Sequence, residues 1–399
     1  MTDRPLDTTR GVRGMLTEFA HDEAAGAVVL VLATAVGLIW ANVATGGYQG
    51  FWGREVRFDL IGVHVGETYA EVVNDGLMAI FFFVVGLEIK RELVVGELRD
   101  RRAAALPFLA ALGGMAVPAL VYLALNAGDA GAQRGWAIPM ATDIAFVMGV
   151  VALLGRRVPP PLRLFLLTLA IVDDIGAIIV IAAFYTDQLA VAWLAAAVGL
   201  VALIVVMRRL GVRSIWAYAL VGLPMWFCVL ESGVHATIAG VVLGLLTPAR
   251  PFGGRSVLEE LEHVFHPISA FVVVPIFAVA NTGIVLSRAS VSEALGSTVA
   301  WGVVLGLLVG KPVGITIATA LGRALKLGRL PAGLELRHVV GGGIVAGIGF
   351  TVSLFVTELS FDPGPVNDAA KLAILTASVL AAAVGSLVLL RIASRDQRR

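Results

Sequence analysis

Two aspartates stand side by side in the middle of "FLLTLAIVDDIGAIIVIAAF", residues 165–184, an apolar run long enough to cross a bilayer. Two further charges lie inside apolar runs: Asp143 in "AIPMATDIAFVMGV" and Lys311 in "LGLLVGKPVGITIA". An ionisable group at mid-bilayer costs about 2.5–3.5 kcal/mol on insertion scales, so the pair Asp173 and Asp174 needs an offset of roughly twice that. Neighbouring helical residues diverge by about 100°, so the two carboxylates cannot face one partner symmetrically, and each needs its own surroundings. Carboxylate oxygens are ligands for hard cations. Asp174, with Asp173 near, supplies the negative charge that replaces a small cation's water in a dry site. A proton competes for the same oxygens. A carrier that reorients readily with either bound, and poorly when empty, lets a proton gradient drive the ion the other way. Two carboxylates and a buried lysine allow more than one proton per cycle.

The chain that must position these groups has 399 residues, 58% of them hydrophobic and 15% charged, with a mean hydropathy of +0.89. Those values describe an integral membrane protein. The net charge of +1 gives no reason to expect nucleic acid as a partner. A single cysteine, Cys228, lies in an apolar stretch, forms no internal disulfide and points to no redox chemistry. Residues 1–23 interleave Arg4, Arg10 and Arg13 with acids, too polar for a cleaved signal peptide, which leaves the first span as its own insertion signal. Val12, Met15, Leu16 and Phe19 recur there at helical spacing, predicting a short helix on the membrane surface or else a solvated tail.

Apolar runs near 24–42, 72–93, 103–125, 135–155, 161–185, 189–207, 214–230, 233–247, 264–285, 297–322, 338–360 and 369–390 predict an all-α polytopic protein of twelve transmembrane helices, the seventh and eighth being short. With the N-terminus inside, cytoplasmic segments carry 24 of the 30 Lys and Arg and outer loops carry 5, the remaining one being Lys311. That asymmetry places both termini in the cytoplasm. The first outer connection, "GGYQGFWGREVRFDLIGVHVGETY", alternates apolar and polar residues around Gly62 and predicts a short extracytoplasmic β-hairpin. Its edge either pairs with a second copy or caps its own protomer.

Two spans look broken. Pro139 weakens the ladder of the fourth, and Thr142 or Asp143 is placed to cap a new helix from Ile144. The eleventh, "VVGGGIVAGIGFTVSLF", carries Gly341, Gly342, Gly343, Gly347 and Gly349, which by themselves fit a close-packing face. Spans 3–5 and 10–12 are then both three-helix units with a breakable middle member. An odd-numbered unit repeated after six helices sits upside down, which predicts inverted repeats with a site at the midplane. Where broken helices cross, Asp143 suits the positive N-terminal ends and Lys311 the negative C-terminal ends.

Other functions fit less of the pattern. A static pair between an aspartate and Lys311 that only fixes packing would leave the second aspartate unexplained. An intramembrane aspartyl protease would use Asp143 and Asp174, but its GxGD motif is replaced by Gly347-Ile348-Gly349-Phe350. Neither the prenyl-transfer DDxxD nor the phosphate-binding GxxxxGK[ST] occurs. A cation channel would accommodate broken helices without needing tandem titratable carboxylates.

"IVDDIGAI", "ATDIAFVMGV", "NDGLMAIFFFVVGLEIKREL", "ESGVHATIAGVVLG", "GKPVGI" and "GIGFTVSLF", in order and spacing, resemble the bacterial NhaA sodium/proton antiporters across nearly the whole chain. The resemblance implies a core bundle (about 103–185 and 297–390) and an interface part (about 24–93 and 189–285), after the N-terminal tail 1–23. It implies electrogenic expulsion of Na+ or Li+ for protons, no cofactor, a homodimer joined partly by the 46–70 hairpin, activation at alkaline pH and residence in the bacterial inner membrane among its lipids. Asp174 would be the principal ion and proton carboxylate, with Asp173 beside it pairing or unpairing with Lys311, both serving the transported Na+. Asp143 and Thr142 would lie where the unwound segments cross. Glu88, Arg91, Glu92, Glu262, His263 and His266 match positions assigned to pH sensing, and His235 titrates in the right range. By residue type alone, charges at a helix end are solvated, His263 and His266 suggest a metal pair, and His235 is a packed polar group. The tail and the triple glycine at 341–343 depart from the family pattern.

Overall fold

The computed structural model describes residues 8–60, 63–186, 189–212, 214–249 and 256–397. The chain opens with α1 (Thr8–Val43), one uninterrupted helix whose apolar part is Ala24–Val43. The predicted surface helix is therefore continuous with the first span; its side chains and residues 1–7 lie outside the described residues. The outer connection is part helix: α2 (Thr45–Trp52) precedes the hairpin of β1 (Glu55–Leu60) and β2 (Val63–Thr68). The strands pair antiparallel from Glu55 opposite Thr68 to Leu60 opposite Val63. This hairpin is shorter than the sequence suggested, because the aromatic run Tyr48, Phe51 and Trp52 packs on Trp40 as a helix. The turn with Gly62 lies outside the described residues.

Then follow α3 (Tyr69–Val94), α4 (Arg101–Leu125), α5 (Ala130–Met140), α6 (Ile144–Leu154), α7 (Pro160–Phe184), α8 (Val191–Arg209), α9 (Ile215–Glu231), α10 (Thr237–Leu246), α11 (Val257–Asn281), α12 (Arg288–Gly296), α13 (Thr298–Ala324), α14 (Leu336–Val345), α15 (Phe350–Ser360) and α16 (Pro365–Asp396). Local signals set these boundaries. Asp100 caps α4 by accepting from the Arg102 amide at 2.9 Å, and Asp129 caps α5 through the Gly131 and Ala132 amides. By length and composition, eight helices among the described residues are able to cross a membrane. Two bent pairs join them, α5 with α6 at 40° and α14 with α15 at 54°. These are the two spans whose sequences predicted breaks. The shorter apolar helices α9 and α10 are the seventh and eighth runs.

The core is built where α4 lies along α13 and α7, and where α14 packs on α13 and α16. Contact between α4 and α13 is close because Gly113 faces Gly314, and a Cβ on either would collide with the other's carbonyl oxygen. Similarly, a Cβ on Gly347 would come within 2.5 Å of the Leu307 carbonyl, so the unwound part of the second bent pair presses directly on α13. Three π-helical turns interrupt the bundle at Val72–Leu77 in α3, Ser269–Val273 in α11 and Gly306–Gly310 just before Lys311. Such turns concentrate at functional sites.

Candidate ion-binding site

The two bent pairs cross at their breaks. Residues 141–143 separate α5 from α6, and 346–349 separate α14 from α15. The crossing is stitched by the Asp143 amide donating to the Ile348 carbonyl at 2.8 Å, the Thr142 hydroxyl to the Ala346 carbonyl at 3.2 Å and the Ser353 hydroxyl to the Ile138 carbonyl at 2.8 Å. Unwound backbone buried in apolar surroundings must find such partners or lose the bond energy outright.

Asp143 serves two helix starts at once. One oxygen accepts from the Phe146 amide of α6 at 2.9 Å, while the other accepts from the Thr351 amide at 3.0 Å and hydroxyl at 2.5 Å, at the start of α15. A negative group between two positive helix ends is the balance its position predicted. Lys311 does the converse. Its ammonium donates to the Met140 carbonyl, at the C-terminal end of α5, and to Asp173 Oδ2 at 2.9 Å. Lys311 is 0% exposed and Asp173 1%, so this is a fully desolvated pair. The second oxygen of Asp173 is buried with no hydrogen-bond partner.

Asp174 is different. It is 4% exposed, and among the described residues its side chain makes no hydrogen bond or ion pair. It faces a cavity of about 80 Å³ whose wall includes Asp143, Thr351, Glu88, Arg91 and His266. That is room for a few water molecules or a partly hydrated small ion. Hard carboxylate oxygens with no committed cation suit an alkali ion as cargo. Among the described residues no group of three or more His, Cys, Asp or Glu stands close enough to hold a resident metal ion.

The residues assigned to pH sensing divide into three groups. Arg91 on α3 pairs with Glu262 on α11 and lies 3.8 Å from Glu92, while His266 Nε2 lies 3.9 Å from Glu88. This network borders the same cavity as Asp174, a connection that residue types and spacing did not reveal. His263, by contrast, is exposed, whereas His266 faces Glu88 on the cavity wall. His235 is elsewhere: its ring meets the Tyr185 carbonyl beside a second, polar cavity at the other end of α7. Thr351 was missed by sequence reasoning. Its signal was a hydroxyl residue just past a Gly-rich break, in the position that completes a cap.

A helical membrane-embedded carrier with a buried carboxylate site between two broken helices is therefore the class of protein that fold and site define. The family described as Na+/H+ antiporter 1 matches residues 17–389, and the chain belongs to it. Similar proteins include Na(+)/H(+) antiporter NhaA 1 of Klebsiella pneumoniae subsp. pneumoniae, 46% identical over 379 residues, which are 94% of this chain and 95% of that protein. Na(+)/H(+) antiporter NhaA of Shewanella frigidimarina is 44% identical over 93% of this chain and 94% of its own. The protein of that name from Escherichia coli O1:K1 is 46% identical over 93% and 96% respectively. These relatives are transporters rather than enzymes, and they lend no support to the protease or channel readings.

Proposed function

We propose that this chain is a secondary antiporter that expels Na+, or Li+, in electrogenic exchange for external protons, with Asp174 as the group for which ion and proton compete. The observation that carries the proposal is the contrast among three buried acids. Asp143 is committed to two helix ends and Asp173 to Lys311, whereas Asp174 faces the cavity uncommitted. A small cation entering that cavity displaces the proton from Asp174 and draws on the unpartnered oxygen of Asp173. A proton arriving from the other face reverses the step. Proton uptake by both the Asp174 carboxylate and the Asp173–Lys311 pair moves more than one proton per ion, which makes the exchange electrogenic.

The wider architecture follows the same reading. Twelve membrane crossings arise if the two bent pairs each cross once and α9 and α10 also cross. Spans 3–5 and 10–12 then form inverted repeats as the core, and the remaining spans an interface part. The protein resides in the bacterial inner membrane with both termini cytoplasmic, and a homodimer joins through the hairpin edge at 55–68. Glu88, Arg91, Glu92, Glu262 and His266, at the mouth of the ion cavity, set the pH at which ions enter, with His235 acting at the opposite end.

The test is a vesicle assay with a pH-sensitive dye. Adding Na+ or Li+ to acid-loaded vesicles dequenches the dye, and Asp174→Asn abolishes that response while folding normally. A response that needs no cation, or one that survives Asp174→Asn, removes the antiporter.

A further inference from the structure

The first half of the second bent pair, α14, is a weak helix in a smooth channel. Three of its ten residues are the glycines 341–343, and only proline forms helix less readily than glycine. They face three different neighbours. A Cβ on Gly341 would come within 2.7 Å of Leu389 on α16, one on Gly342 within 3.0 Å of Leu166 on α7, and one on Gly343 within 3.3 Å of Pro312 on α13. Backbones therefore approach closely on three sides, but α14 carries no side chains at these positions to interlock with its neighbours and resist rotation or sliding. Its hold must come from its ends.

At its start, Asp396 in the last turn of α16 supplies one. A carboxylate oxygen accepts from Arg337 at 2.7 Å, and the other pairs with His338 Nε2 at 3.0 Å. The second ring nitrogen settles which atom donates. The Glu335 amide donates to His338 Nδ1 at 3.0 Å, so Nδ1 is an acceptor and Nε2 carries the hydrogen that Asp396 receives. One buried imidazole thus caps α14 and ties that cap to α16. Arg337 also donates to Glu335 Oε1 at 3.1 Å, which closes a circuit of four residues.

The other end of α14 runs into the crossing. Ala346 and Ile348, just beyond it, accept from the Thr142 hydroxyl and the Asp143 amide, and Ala346 lies about 12 Å along the helix from His338. The half helix is therefore a short rod pinned at two points. A rod loose at its start lets those carbonyls drift, and with them Asp143, which walls the ion cavity.

We infer that Arg337 and His338, clasped by Asp396, are positioning residues for the ion site: they act through α14 to hold the crossing, and so set how tightly a small cation is retained beside Asp174. The effect is one of preorganisation, since a wall already in place need not be ordered when the ion enters. The link to the ion rests on the antiporter reading, whereas the hold on α14 does not.

The experiment compares the unsubstituted chain with Asp396→Ala, His338→Glu and His338→Gln. Glutamate and glutamine at the third position of a helix both return a bond to the cap amide, but glutamate repels Asp396 and the glutamine amide donates to it. In the vesicle assay, the Na+ concentration for half-maximal dequenching rises roughly threefold to tenfold in Asp396→Ala and His338→Glu, at an unchanged maximal rate, and keeps its original value in His338→Gln. In detergent micelles, amide hydrogen exchange over Leu336–Val345 quickens about tenfold in the first two and is unchanged over Val191–Arg209, which excludes general loosening. Should Asp396→Ala not fold, Asp396→Asn is scored by the same comparison. Faster exchange in α14 with no change in the half-maximal concentration overturns the positioning role, as does a fall confined to the maximal rate. Unaltered exchange in α14 overturns the latch itself, and an equal rise in His338→Gln and His338→Glu removes Asp396 as its cause. An unsubstituted chain that shows no cation-dependent dequenching counts against the antiporter, while the exchange contrast still decides whether Asp396 holds α14.

Discussion

Asp143 ties two helix starts through a single carboxylate, and Thr351→Val tests whether that tie holds the crossing together. The substitution is close to isosteric and removes only the hydroxyl that donates to Asp143 at 2.5 Å, leaving the Thr351 and Phe146 amides in place. A hydrogen bond to a charged group contributes about 1.5–3 kcal/mol, which is the expected loss. Asp143→Asn is worse. Its one remaining oxygen serves either α6 or α15, and its amide faces donors at the other. With two bonds compromised and the charge removed from two positive helix ends, the loss is about 3–5 kcal/mol. Both are measured by reversible unfolding in mixed detergent–SDS micelles, followed by tryptophan fluorescence. The double variant costs less than the sum by about 1.5–3 kcal/mol, because the hydroxyl bond can be lost only once. Additive costs would refute the bridging role, as would Asp143→Asn losing no more than Thr351→Val.

The Asp173–Lys311 pair gives a second test in the same micelles. Lys311→Met leaves a buried carboxylate without its cation and the Met140 carbonyl without its donor, costing about 3–5 kcal/mol, and Asp173→Asn in the same chain restores most of it. If the double variant is as unstable as the single, the pair is not what makes Lys311 necessary. Outside the membrane, Glu67 at the base of the hairpin has its carboxyl raised from 4.5 to about 7, first by burial and then by Glu71 and Asp75. The fold therefore favours the protonated acid. Hairpin stability is highest below about pH 4.5, falls as pH rises to about 7 and is level above that. Amide hydrogen exchange over Glu55–Thr68 reads this out after correction for intrinsic rates, and Glu67→Gln flattens it. Equal protection at about pH 5 and about pH 8 in the unsubstituted chain would show the shift to be absent.

Much of this was legible because lipid simplifies the rules. Apolar length marks a helix, a charge inside it needs a reason, and Pro139 or a cluster of glycines marks a break. Those rules sufficed for the two bent pairs and for the opposite roles of Asp143 and Lys311. They did not reach Thr351, because a threonine near a helix start is ordinary and only the crossing brings it to Asp143. Nor did they reveal that Glu88 and His266 share a cavity with Asp174. Glu88 is 86 residues from Asp174 in sequence, and that proximity depends on how α3 and α11 pack on the bent helices. The alternation at residues 56–60 sufficed for the hairpin, but nothing in it marked the helix that precedes it: Tyr48 turns inward to donate to the Val279 carbonyl at 2.8 Å, and α2 delivers it there.

On the proposed reading, the arrangement of charge leaves one acid free to carry cargo. A broken helix buried in apolar surroundings exposes two ends of opposite sign, and leaving them bare would be costly. Asp143 offsets the N-terminal ends of α6 and α15, and Lys311 offsets the C-terminal end of α5. Lys311 in turn needs a counter-charge, which Asp173 supplies. The charges of Asp143 and Lys311 are required by the backbone before any ion arrives. Asp173 can take up a proton while Lys311 keeps its place at the helix end, and Asp174 answers to neither end, so its occupant can change without unpicking the crossing. Were Asp174 instead one of the groups holding the helix ends, every exchange of ion for proton would disturb the fold that positions it. With Asp174 as the proposed ion-binding group, separating it from the charges that hold the break lets a carrier turn over and keep its structure.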